Sequence, residues 1–341
     1  MRAVRYDGPR SFTVTDVPTP PVGPGDVRIA VQTVGVCGTD LHLHHGHFNA
    51  VFPFIPGHEM VGQVEEIGSN VAGVHPGELV TVNPNIYCGS CDYCLAGRLG
   101  LCGNSRGMGS SLPGFFAESV TVDQRQVFSV EGLDPDVAVF TEPTACAMHG
   151  VETLGVRPGS HALVIGAGPT GILLSQLIGS GGAASVTVAD IAPAKLQTAS
   201  RLGADLTIAL TRDTAKSAET LLEAAPSGDG YDIVVEATGL TAIGDICVPL
   251  TRNGGTVLIY GVTRADETLS ASPYDILRRG ITIKGSYAEM TTFGAAVAAL
   301  RTGRARTNEI ITHRFPLDYY GQVLAALTND PTAHKVVIDV R

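Results

Sequence analysis

Four cysteines lie close together in the first half of the chain. They fall in one fifteen-residue run, CGSCDYCLAGRLGLC, with the spacing C-x2-C-x2-C-x7-C. This spacing is typical of a tetrahedral zinc site, because the short loops let four thiolates converge on one ion. A ligand set made only of thiolates leaves no open position, so the predicted site is structural. Its four ligands are Cys88, Cys91, Cys94 and Cys102.

Two disulfides in a secreted protein are the alternative interpretation of this run. The other cysteines, Cys37, Cys146 and Cys247, are too widely spaced to suggest a disulfide framework. The N-terminus alternates like a β-strand and lacks the apolar centre of a signal peptide. We therefore expect a reducing, cytoplasmic location. We expect no membrane partner, because no apolar run approaches the ~18 residues that span a bilayer.

A second motif, G-x-G-x-x-G, follows the apolar run HALVI and begins a predicted helix. In this context Gly166 permits a tight turn, Gly168 lets the backbone approach a diphosphate, and Gly171 lets the helix pack on the strand. The helix N-terminus then faces the diphosphate of a dinucleotide. A glycine turn without a nucleotide is the alternative. The predicted cofactor-binding residues of this loop are Gly166, Gly168, Pro169, Thr170 and Gly171.

The choice between the two nicotinamide dinucleotides depends on Asp190. This residue ends the next predicted strand, 19 residues beyond Gly171. A carboxylate there accepts hydrogen bonds from the adenosine ribose and repels a 2′-phosphate. No arginine follows it closely, and Lys195, also a predicted cofactor contact, lies a turn into the next helix. The sequence therefore favours NAD over NADP.

Composition and patterning predict the elements that must position these residues. The chain has 341 residues and a net charge of −10, which argues against a nucleic-acid surface. Short alternating runs predict a β-rich domain over residues 1–150, which holds the cysteine lobe. Strands alternating with helices over 151–287 predict a doubly wound parallel sheet that binds the dinucleotide. Residues 288–341 are too few for a domain, so we expect them to return to the first; the fold class is α/β.

Further metal-ligating side chains are scattered through the β-rich part. Cys37 lies in VCGTDLH, His58 and Glu59 in PGHE, and Glu142 in TEP. A catalytic zinc site needs three protein ligands and one open position. Cys37 and His58 suit such a site, and Glu59 or Glu142 can complete it. Taken singly, each is more often an ordinary packed or hydrogen-bonded residue.

These motifs occur in the order CGTDLH, GHEMVGQVEEIG, the four cysteines, TEP, GAGPTG and KVVI. In this order, over nearly the full length, the chain resembles the zinc-dependent medium-chain alcohol dehydrogenases, in particular their polyol and sorbitol dehydrogenase branch. The resemblance implies a GroES-like catalytic domain and a Rossmann domain. It also implies two zinc ions and NAD per chain, a small-molecule alcohol substrate, and a homo-oligomer, dimer or tetramer, formed through sheet edges of the cofactor domain.

The resemblance also implies roles for the scattered residues. Cys37 and His58 are zinc ligands, and Asp40 is the carboxylate that holds the zinc-bound imidazole. An acidic residue followed by proline, as at Glu142, is typical of the polyol branch. In that branch Glu59 can also reach the metal, with Glu142 bound directly or through water.

A proton path is implied as well. Zinc lowers the pKa of the substrate hydroxyl, and the proton leaves through Thr39 and then His42, linked by the nicotinamide ribose. An ordinary turn hydroxyl is the alternative for Thr39. His42 shares its segment with His44, His45 and His47, which we expect to form an exposed loop; a third metal site there is a further alternative.

The substrate is less determined. Glu142 with Pro143 favours a polyol, sugar alcohol or vicinal diol that is oxidised to a ketone. The run from Lys284 to Glu289 lacks the arginine common in sorbitol-type enzymes, so a threonine-type amino alcohol or a simple alcohol stays open. Alternatives of other classes are a non-catalytic zinc-binding interaction module and a relative without zinc chemistry, like the quinone reductases. Plausible pocket residues are Asn85, Phe48 and Tyr287.

Overall fold

The computed structural model describes residues 1–47 and 51–341; Phe48, a predicted pocket residue, lies outside them. The chain forms two compact units. The first contains Met1–Ala145, Glu289–Thr302 and Thr307–Arg341, and the second contains Cys146–Ala288 and Gly303–Arg306. Among the helices of the described residues, none has both the length and the apolar composition needed to cross a bilayer.

The strands and helices follow one another along the chain with short connections. The strands are β1 (Arg2–Gly8), β2 (Ser11–Asp16), β3 (Asp26–Val36), β4 (Glu59–Ile67), β5 (Leu79–Val82), β6 (Asn85–Ile86), β7 (Arg106–Gly107), β8 (Ser119–Asp123), β9 (Val127–Ser129), β10 (His161–Ile165), β11 (Ser185–Asp190), β12 (Leu206–Ala209), β13 (Tyr231–Glu236), β14 (Thr251–Ile259), β15 (Thr282–Gly285), β16 (Ile311–Pro316) and β17 (Lys335–Asp339). The helices are α1 (Gly38–His45), α2 (Asp92–Leu95), α3 (Pro135–Ala138), α4 (Thr141–Leu154), α5 (Pro169–Ser180), α6 (Pro193–Arg201), α7 (Thr214–Glu223), α8 (Thr241–Leu250), α9 (Pro273–Arg279), α10 (Phe293–Arg301) and α11 (Tyr320–Asn329).

The first unit is built on a seven-stranded sheet. Six of its strands have the order β16-β17-β3-β4-β5-β9, and β8 pairs with β3. The long central strand β3 reads DVRIAVQTVGV and is almost entirely buried, as its run of branched apolar residues predicts. It runs antiparallel to both β4 and β17. The core of this unit includes the buried rings of Tyr6, Phe115, Phe116 and Tyr320.

The second unit contains a parallel six-stranded sheet of order β12-β11-β10-β13-β14-β15. Numbered from its first strand, this order is 3-2-1-4-5-6, the doubly wound arrangement of dinucleotide-binding folds. Strands β10 and β13 lie in the middle and are buried on both faces, which explains their near-continuous apolar runs. The predicted α/β fold class, with a GroES-like part and a Rossmann part, is confirmed.

One local prediction is wrong. The histidine-rich segment, expected to be an exposed loop, forms helix α1 over Gly38–His45. The Asp40 carboxylate caps the first turn by accepting a hydrogen bond from the backbone N–H of Cys37, 2.9 Å away. Gly46, in the left-handed conformation with φ of 76°, ends the helix. His42 and His44 are consequently half-buried rather than fully exposed.

Candidate metal centres and cofactor loop

The register of the central sheet brings the scattered candidate ligands together. Gly35 of β3 pairs with Glu59 at the start of β4. Because the strands are antiparallel, Cys37, two residues after Gly35, lies close to His58, which comes just before β4. Ligand atoms of Cys37, His58 and Glu59 all lie within 4.8 Å of one another. A thiol, an imidazole and a carboxylate form a donor set that suits zinc.

Asp40 completes the surroundings of the imidazole. One of its carboxylate oxygens caps α1, and the other lies 3.8 Å from Nδ1 of His58. This second oxygen is buried and has no hydrogen-bond partner in the part of the chain described. A ligating histidine usually presents its second ring nitrogen to such a carboxylate.

The electrostatics of this cluster favour a cation. Burial raises the pKa of Asp40, and His58 and the capped Cys37 N–H only partly oppose it. Burial alone would lower the pKa of His58, but Asp40, Cys37 and Glu142 outweigh it and hold that pKa well above its ordinary value. The imidazole therefore lies in a negative field, in which a bound metal ion is stabilised.

Glu59 already has a cationic partner. Its carboxylate accepts a hydrogen bond from the ammonium group of Lys335, the first residue of β17, and both side chains are almost fully buried. Strand β17 flanks β3 on the side opposite β4, so the pair meets over Gly35. A β-carbon at Gly35 would overlap the Glu59 carboxylate and come within 2.9 Å of Cε of Lys335. The glycine therefore makes room for the ion pair.

Glu142 is not part of the Cys37 group among the residues described. It lies in the first turn of α4, and its carboxylate is grouped with that of Glu289. Glu289 is fully buried, and both of its oxygens accept hydrogen bonds from Nδ2 of Asn85, at 2.8 and 2.7 Å. Burial and then the Glu142 carboxylate raise the pKa of Glu289. Asn85, predicted as a pocket residue, thus holds a buried carboxyl group, whereas Tyr287 is 68% exposed.

The four-cysteine run forms a second candidate metal site. Helix α2 begins after Cys91, and the sulfurs of Cys88 and Cys94 lie 3.8 Å apart, those of Cys88 and Cys102 3.5 Å apart. Four sulfurs about 2.3 Å from one zinc ion would lie about 3.8 Å from each other. A disulfide bond needs about 2.05 Å. All seven cysteines are free thiols, and the lobe fits zinc rather than disulfides.

The glycine loop of the second unit has the geometry of a diphosphate cradle. Gly166 follows β10 with φ of 113°, and Gly168 precedes α5, whose first residues are Pro169 and Thr170. A β-carbon at Gly171 would overlap the carbonyl oxygen of Gly166, whereas one at Gly168 would meet open space. The third glycine therefore allows close packing, and the middle one leaves the approach to the helix N-terminus clear.

Asp190 lies at the end of β11, beside this loop. One carboxylate oxygen accepts a hydrogen bond from the backbone N–H of Ala167 at 2.7 Å, and the other from Ala192 at 2.8 Å. The residue thus holds the glycine loop in place, which the sequence alone does not reveal. Lys195 lies in the first turn of α6 and is half-buried.

The two predicted proton carriers lie on α1. The hydroxyl oxygen of Thr39 is 3.7 Å from the sulfur of Cys37, next to the candidate catalytic metal site. His42 lies one turn further along the helix, and its Nδ1 is 3.4 Å from Nδ1 of His47. Burial, followed by the positive charge of His47 and His45, lowers the pKa of His42.

Comparison with known proteins agrees with this geometry. Residues 23–132 match the alcohol dehydrogenase GroES-like domain, and residues 169–302 match the zinc-binding dehydrogenase family. D-arabinitol dehydrogenase 1 of Uromyces fabae is 37% identical over 326 residues, which are 95% of this chain and 93% of that protein. The chain belongs to the zinc-binding alcohol dehydrogenase family.

Two further comparisons place this alcohol dehydrogenase among its relatives. The L-threonine 3-dehydrogenase of Anaeromyxobacter sp. (strain Fw109-5) is 32% identical over 335 residues, which are 96% of this chain and 95% of that protein. The crystal structure of a zinc-binding dehydrogenase from Sinorhizobium meliloti 1021 bound to NADP has a TM-score of 0.92 and 34% identity, covering 99% of both chains. The protein is an oxidoreductase of small-molecule alcohols that belongs to a zinc- and nicotinamide-dependent family, which confirms the predicted enzyme class.

Two residues of this dehydrogenase escaped the sequence analysis. Lys335 begins the strand KVVID, and a charged residue opening an apolar strand signals a need for a buried partner. Glu289 follows the last strand of the parallel sheet and gives no comparable local signal. Both acquire a partner only through pairing with segments more than 200 residues away, Glu59 and Asn85.

Proposed function

We propose that this dehydrogenase oxidises a secondary alcohol of a polyol to a ketone with NAD. The convergence of Cys37, His58 and Glu59 in a buried negative field is the observation that carries the proposal. The similarity to a D-arabinitol dehydrogenase and the Glu142-Pro143 pair support a polyol rather than a simple primary alcohol.

We assign two zinc ions to the chain. Cys88, Cys91, Cys94 and Cys102 would hold a structural ion. Cys37 and His58 would hold the catalytic ion, with Glu59 or Glu142 as the third ligand. Bound there, zinc polarises the substrate hydroxyl and lowers its pKa. The ion pair of Glu59 with Lys335 favours Glu142 as the third ligand.

The surrounding side chains have supporting roles. Asp40 faces Nδ1 of His58, which orients the ring and leaves Nε2 to act as the metal ligand. Thr39, close to the Cys37 sulfur, accepts the substrate proton at its hydroxyl oxygen, and His42 passes that proton towards solvent.

The cofactor proposed is NAD, which accepts the hydride. The Asp190 carboxylate at the end of β11 supports NAD, because a negative charge there repels a 2′-phosphate. The Sinorhizobium protein with NADP bound, at 34% identity, makes NADP the alternative to be measured beside it. Gly166, Gly168, Pro169, Thr170 and Gly171 would hold the diphosphate, with Lys195 nearby.

A second candidate substrate is a threonine-type amino alcohol. The L-threonine 3-dehydrogenase relative, 32% identical over nearly the whole chain, favours it. A polyol and threonine both present a secondary hydroxyl, so the same metal chemistry serves either. The difference lies in what recognises the neighbouring groups.

The larger organisation is part of the proposal. We assign the metal and substrate chemistry to residues 1–150 with the returning segment 288–341, and cofactor binding to 151–287. The free cysteines support a reducing, cytoplasmic location. The edge strand β15 supports a homo-oligomer, dimer or tetramer, as argued in the Discussion.

A substrate panel with metal analysis tests the function. Purified zinc-loaded protein is offered D-arabinitol, other pentitols and hexitols, 2,3-butanediol, L-threonine and ethanol, each with NAD and with NADP, and NADH fluorescence is followed. We expect a polyol with NAD to give the highest kcat/KM, and two zinc ions per chain.

The matched variant is Cys37→Ala. It should lose one zinc ion and the activity while keeping the fold by circular dichroism. A single zinc ion in the wild type that Cys37→Ala retains would contradict the proposal, and preference for L-threonine would favour the second candidate.

A further inference from the structure

The end of helix α1 places two histidines against each other. Gly46 adopts the left-handed conformation, and its N–H donates to the carbonyl of Leu43 at 3.0 Å. The N–H of His47 donates to the carbonyl of His42, also at 3.0 Å. These two hydrogen bonds define a Schellman motif, which brings the residue after the glycine back over the last turn of the helix.

In this motif the two residues joined by the outer hydrogen bond usually form a hydrophobic contact. Here they are His42 and His47. Their Nδ1 atoms lie 3.4 Å apart and their ring centres 5.7 Å apart. A hydrogen bond between two ring nitrogens requires one ring to donate and the other to accept, so the pair is able to hold or pass one proton.

The two rings differ in exposure. His42 is half-buried in the helix, whereas His47 is exposed to solvent. Burial and the neighbouring positive charges lower the pKa of His42, which favours loss of a proton from His42 towards a more solvated acceptor.

Other titratable groups surround the pair. His45 is 5.6 Å from His47 between ring centres, and its Nδ1 accepts a hydrogen bond from Nε of Arg10 in the β1–β2 turn. His44 on the inner face of α1 is held by the hydroxyl of Tyr6 at 2.8 Å. Among these described neighbours, His47 is the exposed ring whose nitrogen faces that of His42.

We propose that His47 is a second proton carrier of this dehydrogenase, receiving the proton from His42 and releasing it to water. The proposal rests on the proposed function, in which His42 receives the proton of the alcohol. A proton that reaches Nε2 of His42 makes the ring cationic, and Nδ1–H of His42 then protonates Nδ1 of His47. His47 releases its Nε2 proton to water, so both rings end neutral and one proton has moved outward.

A merely structural role for His47 makes different predictions. The motif's backbone hydrogen bonds form with any residue at position 47, so a structural residue there would tolerate alanine. A proton carrier, in contrast, leaves a defect that an external base can repair.

The test compares His47→Ala with the matched control His45→Ala in the zinc-loaded enzyme, with D-arabinitol and NAD as the probe. In dilute buffer without imidazole, we expect His47→Ala to lower kcat/KM for oxidation about tenfold, and added imidazole to restore it. The acid limb of its pH profile should move to higher pH, because removal of a positive neighbour raises the pKa of His42. His45→Ala should share that shift but keep the rate at high pH.

A second variant removes the geometry and keeps the imidazole. Gly46→Ala places a β-carbon at positive φ and 2.9 Å from Cγ of Pro9, so the motif should open and His47 should leave His42. We expect the same imidazole-dependent loss as in His47→Ala, with little further loss when both changes are combined. Ring ¹⁵N chemical shifts followed through a pH titration should show His42 titrating at higher pH in His47→Ala.

The outcomes separate the relay from the proposed function. An active wild type with His47→Ala unchanged in rate, pH profile and imidazole response overturns the relay and leaves the proposed function standing. A wild type inactive on the whole substrate panel overturns the proposed function, and the relay falls with it.

Discussion

The buried ion pair of Glu59 and Lys335 decides how much negative charge the candidate catalytic site presents. With Lys335 in place, one carboxylate beside Cys37 and His58 is neutralised, and the remaining negative charge comes from the thiol, Asp40 and Glu142. Gly35 is the third member of this arrangement, because any side chain there would overlap the pair. The identity of these residues therefore determines the metal preference as much as the ligands do.

Removing Lys335 should destabilise the protein strongly. Lys335→Met leaves the Glu59 carboxylate buried without its cation, which costs about 3–5 kcal/mol of unfolding free energy. Chemical denaturation followed by circular dichroism measures the loss. Lys335→Arg keeps the charge and should lose much less, and Glu59→Gln combined with Lys335→Met should recover part of the stability. A Lys335→Met protein as stable as the wild type would show that the pair contributes nothing.

At the scale of elements, the cysteine lobe and the glycine loop differ in what holds them. The lobe consists of short elements, α2 and the two-residue strands β6 and β7, too small to bury a core of their own. Its order must come from the ion that four thiolates hold. The glycine loop instead depends on a regular strand and helix, and on Asp190, which accepts hydrogen bonds from backbone on both sides.

Breaking the lobe should therefore affect stability before chemistry. We expect Cys94→Ser to lose the structural zinc ion and to lower Tm by about 5–10 °C, which corresponds to roughly 2–3 kcal/mol for units of this size. Zinc content by atomic absorption and Tm by calorimetry measure both effects. Leu95→Ser, on the same helix at a position 74% exposed, is the matched control and should leave both unchanged. A Cys94→Ser protein that keeps two zinc ions would exclude the assigned ligand.

Changing Asp190 should alter both the loop and the cofactor preference. Asp190→Ala removes the acceptors of the Ala167 and Ala192 N–H groups and the charge that disfavours a 2′-phosphate, so NAD should weaken far more than NADP. Asp190→Asn keeps an acceptor but not the charge, and isolates the electrostatic part. Dissociation constants for both cofactors, from quenching of tyrosine fluorescence, test this. An unchanged ratio of the two constants in both variants would refute the assignment of NAD.

At the scale of the whole molecule, the charge and the sheet edge indicate what the protein meets. A net charge of −10 disfavours nucleic acid. The parallel sheet ends at β15, an edge strand of four residues on which Ile283 is 37% exposed. Helix α9, just before it, exposes Tyr274 and Leu277, at 68% and 82%. An unpaired strand edge beside exposed apolar side chains is typical of an association surface.

We expect this edge to pair with that of a second copy. Ile283→Lys places a charge on the strand and should convert a dimer or tetramer into a smaller species, as measured by size-exclusion chromatography with light scattering. Ile191→Lys, at an exposed apolar position of the same unit beyond β11, is the matched control. A wild-type monomer, or an Ile283→Lys protein of unchanged mass, would contradict the prediction.

The sequence by itself determined the features whose parts are neighbours in the chain. The four cysteines, the glycine loop with Asp190 and the alternation of strands and helices are local patterns, because backbone geometry over a few residues sets which side chains meet. The helix at Gly38–His45 was local too, but the capping by Asp40 and the left-handed Gly46 were missed in favour of a loop.

Only the tertiary structure decided which distant residues share a site. The meeting of Cys37, His58 and Glu59 depends on the register of β3 with β4, and Lys335 joins them through β17. Register is set by the packing of the whole sheet, and shifting a strand by one residue would turn every side chain to the other face. Glu142 beside Glu289, and His47 over His42, follow from the same kind of placement, which residue types along a chain do not encode.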